Sequence, residues 1–190
     1  MRSGITVAIP TIPPRTGLLQ RAVASVLSQT LPAEGLSIAV DNQRKGAAIN
    51  RQRALDGVGT EWTAFLDDDD EFDPEHLLAL RNHAEETDAD FVYSWFRTSP
   101  LGGDPFPGWF REAPWNKHEP RHTTITVMVK TELAKEIGFV PAEEGAVHGN
   151  EDWRFILECN RLGKISHLCG VDTWTWHHDS GNTSGLPSRW

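Results

Sequence analysis

Four consecutive aspartates, Asp67 to Asp70, carry the densest chemistry in the chain. The apolar run Thr63-Ala64-Phe65-Leu66 leads into them and reads as a short buried strand, while Asp73-Pro74 behind them can open a helix as N-cap and first helical residue. Carboxylates between a strand end and a helix start lie, in an open α/β sheet, at the edge where ligands bind. Neighbouring carboxylates repel, so a compact fold holds them best around a cation. Hard oxygen donors select Mg²⁺, Mn²⁺ or Ca²⁺ over zinc. A solvated acidic turn is the alternative, and the apolar strand before the run weighs against it.

The elements that must position this run can be read in order. Ile5 to Ile9 is a β-rich apolar strand ended by Pro10-Thr11 and Pro13-Pro14. Leu18, Leu19, Ala22, Val23, Val26 and Leu27 recur with helical spacing behind Thr16 as N-cap, and Pro32 and Gly35 break that helix. Leu36 to Val40 forms a second strand and delivers Asp41-Asn42 at its end. Gly46 to Leu55 reads as a helix carrying Arg51 and Arg53, followed by the third strand, Trp62 to Leu66. This alternation predicts an α/β fold with a parallel sheet and right-handed crossovers, and a βαβαβ half of this kind suits a nucleotide.

Beyond the aspartates, Pro74 to Glu86 is an amphipathic helix and Phe91 to Phe96 a strand. Periodicity disappears over residues 97–122, which hold Phe106, Trp109, Phe110 and Trp115 and read as a long ordered loop of functional use. Thr123 to Val129 alternates as a half-buried strand, and Thr131 caps a short helix that Gly138 ends. Residues 140–149 read as a loop. Asn150 then stands as N-cap of a helix with Glu151 and Asp152 in its first turn and Gly163 as its stop. The last strand, Val171 to Trp176, leads into His177-His178.

At 190 residues the chain is long enough for one domain with a substantial core. A net charge of -9 argues against nucleic acid as a partner, although a metal and a few local arginines can still hold a phosphorylated ligand. Cys159 and Cys169 show neither metal spacing nor a redox motif, which fits a reduced, cytoplasmic setting. Met1-Arg2-Ser3-Gly4 runs directly into a strand, so no signal peptide is expected, and no apolar run reaches membrane-spanning length.

Six segments in order then carry a resemblance. Ile5-Thr6-Val7-Ala8-Ile9-Pro10-Thr11 is similar to an opening strand, Val23-Ala24-Ser25-Val26-Leu27-Ser28-Gln29-Thr30 to an "SVLxQT" helix end, and Ile38-Ala39-Val40-Asp41-Asn42 to a "VVDD" strand. Gly46 to Arg53 resembles a "GxxxARNxG" helix, Phe65 to Asp70 "FLDxDD", and Asn150-Glu151-Asp152-Trp153 a late "ED" motif. Together they resemble the family-two glycosyltransferases, the inverting, nucleotide-sugar-dependent enzymes of the GT-A fold. Asn42 stands where that family has a second aspartate, and Arg53-Ala54 where it has a glycine.

The resemblance implies one GT-A-like domain over residues 1–190, with a mostly parallel central sheet flanked by helices. Residues 1–96 would form a Rossmann-like nucleotide-sugar half and 97–190 an acceptor and catalytic-base half. It implies a nucleotide-diphosphate sugar as donor, a hydroxyl-bearing glycan, lipid, protein or small molecule as acceptor, and Mn²⁺ or Mg²⁺ acting as a Lewis acid on the diphosphate. The DxD motif becomes Asp67-Asp68-Asp69, with Asp69 the most direct metal ligand and Asp67 on the ribose or the metal's water shell. Asp70 is the alternative in a register shifted by one. Asp152 becomes the general base, with Glu151 beside it, since a helix N-terminus favours the charged carboxylate; complementing the helix dipole alone is the competing role.

Of His177 and His178, at most one is expected as a further metal ligand. Arg51 is expected to reach the pyrophosphate; Pro10, Thr11, Asp41 and Asn42 to frame the nucleoside; and Trp109 and Trp115 to offer stacking faces to the acceptor. Two other classes stay open: a non-catalytic nucleotide- or sugar-binding module of the same fold, and a metal-dependent phosphohydrolase or nuclease. The last would want a second metal-binding cluster and, for nucleic acid, a basic groove.

Overall fold

The computed structural model describes residues 2–99, 103–141 and 151–177. Its elements are β1 (Arg2–Thr11), α1 (Thr16–Leu27), β2 (Gly35–Val40), α2 (Ala47–Asp56), β3 (Thr60–Phe65), β4 (Glu71–Phe72), α3 (His76–Thr87), β5 (Phe91–Thr98), β6 (Met128–Lys130), α4 (Thr131–Ile137), α5 (Glu151–Leu162) and β7 (Ile165–Trp176). They build one seven-stranded sheet in the order β2-β1-β3-β6-β5-β7-β4. β1 pairs in parallel with β2 and β3, and β5 with β7, while β6 runs antiparallel to both β3 and β5 and β4 antiparallel to β7. Five of the seven strands therefore point the same way, as the strand-helix alternation predicts.

β3 and β5 are buried along nearly their whole length, as strands covered on both faces must be. α2 packs on β1 and β2, α3 on β5 and β7, and α4 on β3. No described helix is long and apolar enough to cross a membrane, and both cysteines are free thiols.

Several local expectations are corrected. Thr16 does not cap α1: a 3-10 turn, Pro13–Arg15, precedes it, Arg15 takes the cap position, and the Thr16 hydroxyl donates to the Pro13 carbonyl at 3.1 Å. Asp73 does not cap α3 either, because its carboxylate is drawn into an ion pair with Arg97 and the helix starts three residues later, at His76. Of the expected strand at 123–129 only Met128 and Val129 join the sheet, with Lys130, as β6. The preceding residues are buried rather than alternating, and Val127 accepts a hydrogen bond from Phe65 N–H at 2.9 Å. Thr131 bonds the Thr63 hydroxyl across the core at 2.8 Å instead of capping α4, which Gly138 ends at φ +65°. Asn150 lies outside the described residues.

One packing contact sets the geometry of everything that follows. The Phe155 ring on α5 stacks on Phe139 at 4.4 Å and meets Phe65 edge-on at 5.9 Å. Phe65 closes β3 two residues before Asp67, and Phe155 lies one helical turn after Asp152, so this apolar contact brings the aspartate run and the start of α5 together. Phe155→Ala is expected to lower stability by about 3–5 kcal/mol, the usual cost of deleting a buried aromatic ring, read from a denaturant or thermal melt.

Candidate functional site

The C-terminal ends of β1, β2 and β3 lie side by side, with Pro10 opposite Ala39 and Thr11 opposite Val40. Asn50 on α2 ties this edge together, its side-chain amide donating to the carbonyls of Thr11 and Ala39, both at 2.9 Å. Asp41 is buried and spends its carboxylate on the following turn, accepting from the backbone N–H groups of Gly46 at 2.8 Å and Gln43 at 3.3 Å. Gly46, at φ +93°, permits that turn, and Asn42 is left exposed at its rim. Pro10, Thr11, Asp41 and Asn42 thus share one edge.

The four aspartates divide their tasks. Asp68 is buried and turns toward β1, accepting from the Thr11 hydroxyl at 2.6 Å and from Arg15 Nη1 at 2.7 Å. Asp67, Asp69 and Asp70 can each offer an oxygen to one point, with their donor atoms all within 4.8 Å of one another. Both Asp69 and Asp70 therefore join Asp67, and either register of the motif is accommodated. Arg15 also reaches Asp69, at 3.1 Å, while Arg21 donates to the Asp69 carbonyl at 2.6 Å. Asp70 accepts from the backbone N–H of His177 at 2.9 Å, and the His177 ring lies 2.8 Å from Glu71. His178 lies outside the described residues.

Burial raises the pKa of Asp69, the charges of Asp67 and Asp68 add to the effect, and Arg15 opposes it. Asp70 is pushed well up by burial and then by Asp69 and Asp67. Asp68 is also raised by burial, against the pull of Thr11 and Arg15. Asp69 and Asp70, whose ionised forms burial and neighbouring charge disfavour, converge with Asp67 into a donor set suited to a hard divalent cation.

A cavity of about 200 Å³ opens against this cluster. Asp67 and Asp70 line it together with Asp152 and Trp153 from the first turn of α5, and Phe106, His122, Trp176 and residues 123–126 complete its walls. The Asp152 carboxylate accepts from Trp153 N–H at 2.6 Å. Its pKa is raised by burial, partly offset by the charge of Arg51. Glu151 points elsewhere: its carboxylate accepts from Arg51 Nη1 at 2.6 Å, and Arg51 Nη2 reaches the two oxygens of Asp67 at 2.8 and 3.1 Å.

The two tryptophans expected to stack on an acceptor fare differently. Trp115 turns inward, donating its indole N–H to Asn160 at 2.8 Å and meeting Tyr93 edge-on. Trp109 is exposed, with the Arg121 guanidinium 4.6 Å from its ring centre. The aromatic groups on the cavity are instead Phe106, His122, Trp153 and Trp176, with His122 stacked on Trp153 at 4.0 Å. Arg15, Asn50 and these rings escape the sequence reading. The available signals are faint: Arg15 closes a Pro-Pro-Arg turn after the first strand, and Trp153 directly follows the paired acids.

A sequence profile described as glycosyl transferase family 2 matches residues 32–135, more than half of the chain. The succinoglycan biosynthesis protein ExoW of Rhizobium meliloti (strain 1021) is 29% identical over 188 residues, a match that takes in 84% of this chain and 55% of ExoW. Among solved structures, S. aureus TarS 1-349 superposes with a TM-score of 0.76 at 19% identity, covering 93% of this chain and 60% of that 1-349 chain. The same protein in complex with UDP-GlcNAc gives a TM-score of 0.78 at 19% identity, covering 98% and 61%. The chain thus spans less than two thirds of the length of these relatives, and it shares with TarS the GT-A fold. Since the profile match takes in more than half of its residues, the aspartate run among them, the chain belongs to glycosyl transferase family 2.

Proposed function

We propose that this chain transfers a sugar, with inversion, from a nucleotide-diphosphate donor to an acceptor hydroxyl. The observation that carries the reading is the shared cavity: Asp152, a half-buried carboxylate on a helix N-terminus, faces the same space as Asp67 and Asp70. An inverting transfer needs a base on the acceptor side and charge compensation on the leaving-group side. The nucleoside would lie along the strand edge formed by Pro10, Thr11, Asp41 and Asn42. A UDP-sugar is the favoured donor, because the S. aureus TarS that shares the fold was solved with UDP-GlcNAc.

Asp67, Asp69 and Asp70 would hold Mn²⁺ or Mg²⁺, with His177 or His178 as a further ligand. When bound, the cation neutralises charge on the diphosphate as a Lewis acid. Asp152 accepts the proton of the acceptor hydroxyl as that oxygen bonds to the anomeric carbon, and the nucleoside diphosphate leaves with the electrons of the broken bond. Trp153, Trp176 and Phe106 give the cavity ring faces on which a sugar can stack. Residues 1–96 would then serve mainly the donor and 97–190 the acceptor and base, and the two free thiols fit a cytoplasmic setting.

A binding module of the same fold has no need of an acid facing the aspartate cluster across a cavity, and a two-metal hydrolase needs a second cluster, which is lacking among the described residues. Incubation with a panel of UDP- and GDP-sugars, Mn²⁺ and simple hydroxyl acceptors tests the reading. The expected result is a glycoside whose anomeric configuration, read by NMR, is opposite to that of the donor. Retention, or release of free phosphate alone, overturns it.

A further inference from the structure

Glu151 and Asp152 are adjacent, yet only Asp152 faces the cavity. Glu151 bonds the guanidinium of Arg51, which comes from α2, an element that contributes no side chain to the cavity walls. Arg51 is 7% exposed and spans two segments far apart in sequence, Asp67 behind β3 and Glu151 at the start of α5. A buried guanidinium is tolerated only when its charge is met. Burial works against the Arg51 charge, but the Asp67 and Glu151 carboxylates outweigh it and raise its pKa overall. The fork is also specific, since one nitrogen serves Glu151 and the other both oxygens of Asp67, a geometry that a lysine ammonium cannot reproduce.

We infer that Arg51 and Glu151 are positioning residues: a buried guanidinium strut fixes the first turn of α5, and with it the Asp152 carboxylate, against the aspartate cluster. The paired acids then have separate tasks, with Glu151 anchoring and Asp152 reacting. Phe65 and Phe155 set the same two segments close by apolar packing, but a ring contact tolerates sliding. The three charge-assisted bonds of Arg51 add the orientation that a proton acceptor needs. The inference rests on the assignment of Asp152 as base.

The test compares Glu151→Gln, Arg51→Lys and the double variant in the full chain, by steady-state transfer, Mn²⁺-dependent UDP titration and thermal melts without ligand. Glu151→Gln keeps the size of the side chain and the Arg51–Asp67 pair, so donor KM and UDP affinity are expected to stay within about threefold. Its kcat is expected to fall by about 10²-fold, the scale of an ångström-sized misplacement of a catalytic group. Arg51→Lys is expected to lose as much in kcat, and the double variant no more than the worse single one, because both sever one link. The two substitutions should also be non-additive in the ligand-free melts.

Glu151→Gln at the parent kcat overturns the inference, as does a double variant whose losses multiply. A tenfold or larger rise in donor KM for Arg51→Lys, with Glu151→Gln unaffected, makes Arg51 a donor ligand instead. If Arg51→Lys does not fold, Glu151→Gln decides alone. A parent chain that transfers nothing overturns the base assignment and the inference together, whereas an active parent with a fully active Glu151→Gln overturns only the inference.

Discussion

Asp152→Asn is expected to leave the fold and the donor site intact and to cut transfer by ~10²–10⁴-fold, the usual contribution of a general base. Asparagine keeps the size of the side chain and an oxygen able to accept the Trp153 N–H, but it cannot take the acceptor proton. Stability should change by no more than about 1 kcal/mol, the scale of one charge at a helix N-terminus. Donor affinity should hold within a few-fold, since removing a negative charge from a cavity already lined by Asp67 and Asp70 eases repulsion. The parent pH profile supplies a second check. The base works only when ionised, and burial raises the Asp152 pKa, so activity should rise with pH through a midpoint above the ordinary carboxylate range. Stopped assays of donor consumption across pH, for parent and variant, read both effects. A variant that folds, binds donor and transfers at the parent rate removes Asp152 from the chemistry.

What the sequence makes legible here follows from how local each signal is. β1 and β3 announce themselves as β-rich apolar segments buried in the sheet, and β2 as a short half-exposed strand at its edge, and their ends deliver Thr11, Asp41 and Asp67 to one edge whatever the later packing does. The start of α5 is equally local, as paired acids in the first turn of an amphipathic segment. Asp73 and Thr131 mislead for a tertiary reason: each has the right type for a cap, but a stronger distant partner, Arg97 or Thr63, takes its side chain. The strut through Arg51 was out of reach for the same reason, because its partners are 16 and 100 residues away. Pairing over such distances leaves no periodicity to read. The cavity's rings come from four separate segments, and neither Trp109 nor Trp115 is among them.

Removal of the divalent cation is expected to abolish tight nucleoside diphosphate binding, and the aspartates should rank by their contacts. Asp69→Asn should weaken Mn²⁺-dependent UDP binding by at least about 10²-fold, because it removes the negative charge from one of three converging donors. Asp70→Asn should do similar harm, with an added loosening of the β7 end that its bond to His177 holds. Asp68→Asn should cost less, within about 10–100-fold, since Asp68 faces Thr11 and Arg15 and acts on the cluster from behind. Linkage gives an independent readout. Asp69 and Asp70 have raised pKa values in the folded, metal-free chain, so their contribution to stability is full below the ordinary carboxylate range and is lost as pH rises through those raised values. Mn²⁺ binds the ionised forms and offsets that loss, so the gain in melting temperature on adding Mn²⁺ should be largest at neutral pH and shrink as the solution is acidified. Calorimetric titrations of UDP with Mn²⁺ and with EDTA, run beside the melts, measure both quantities. Equal UDP affinity in the two conditions, or a Mn²⁺ effect on melting that does not change with pH, would take the cation out of the mechanism and leave the diphosphate to the guanidinium groups that surround the cluster, Arg15, Arg21 and Arg51.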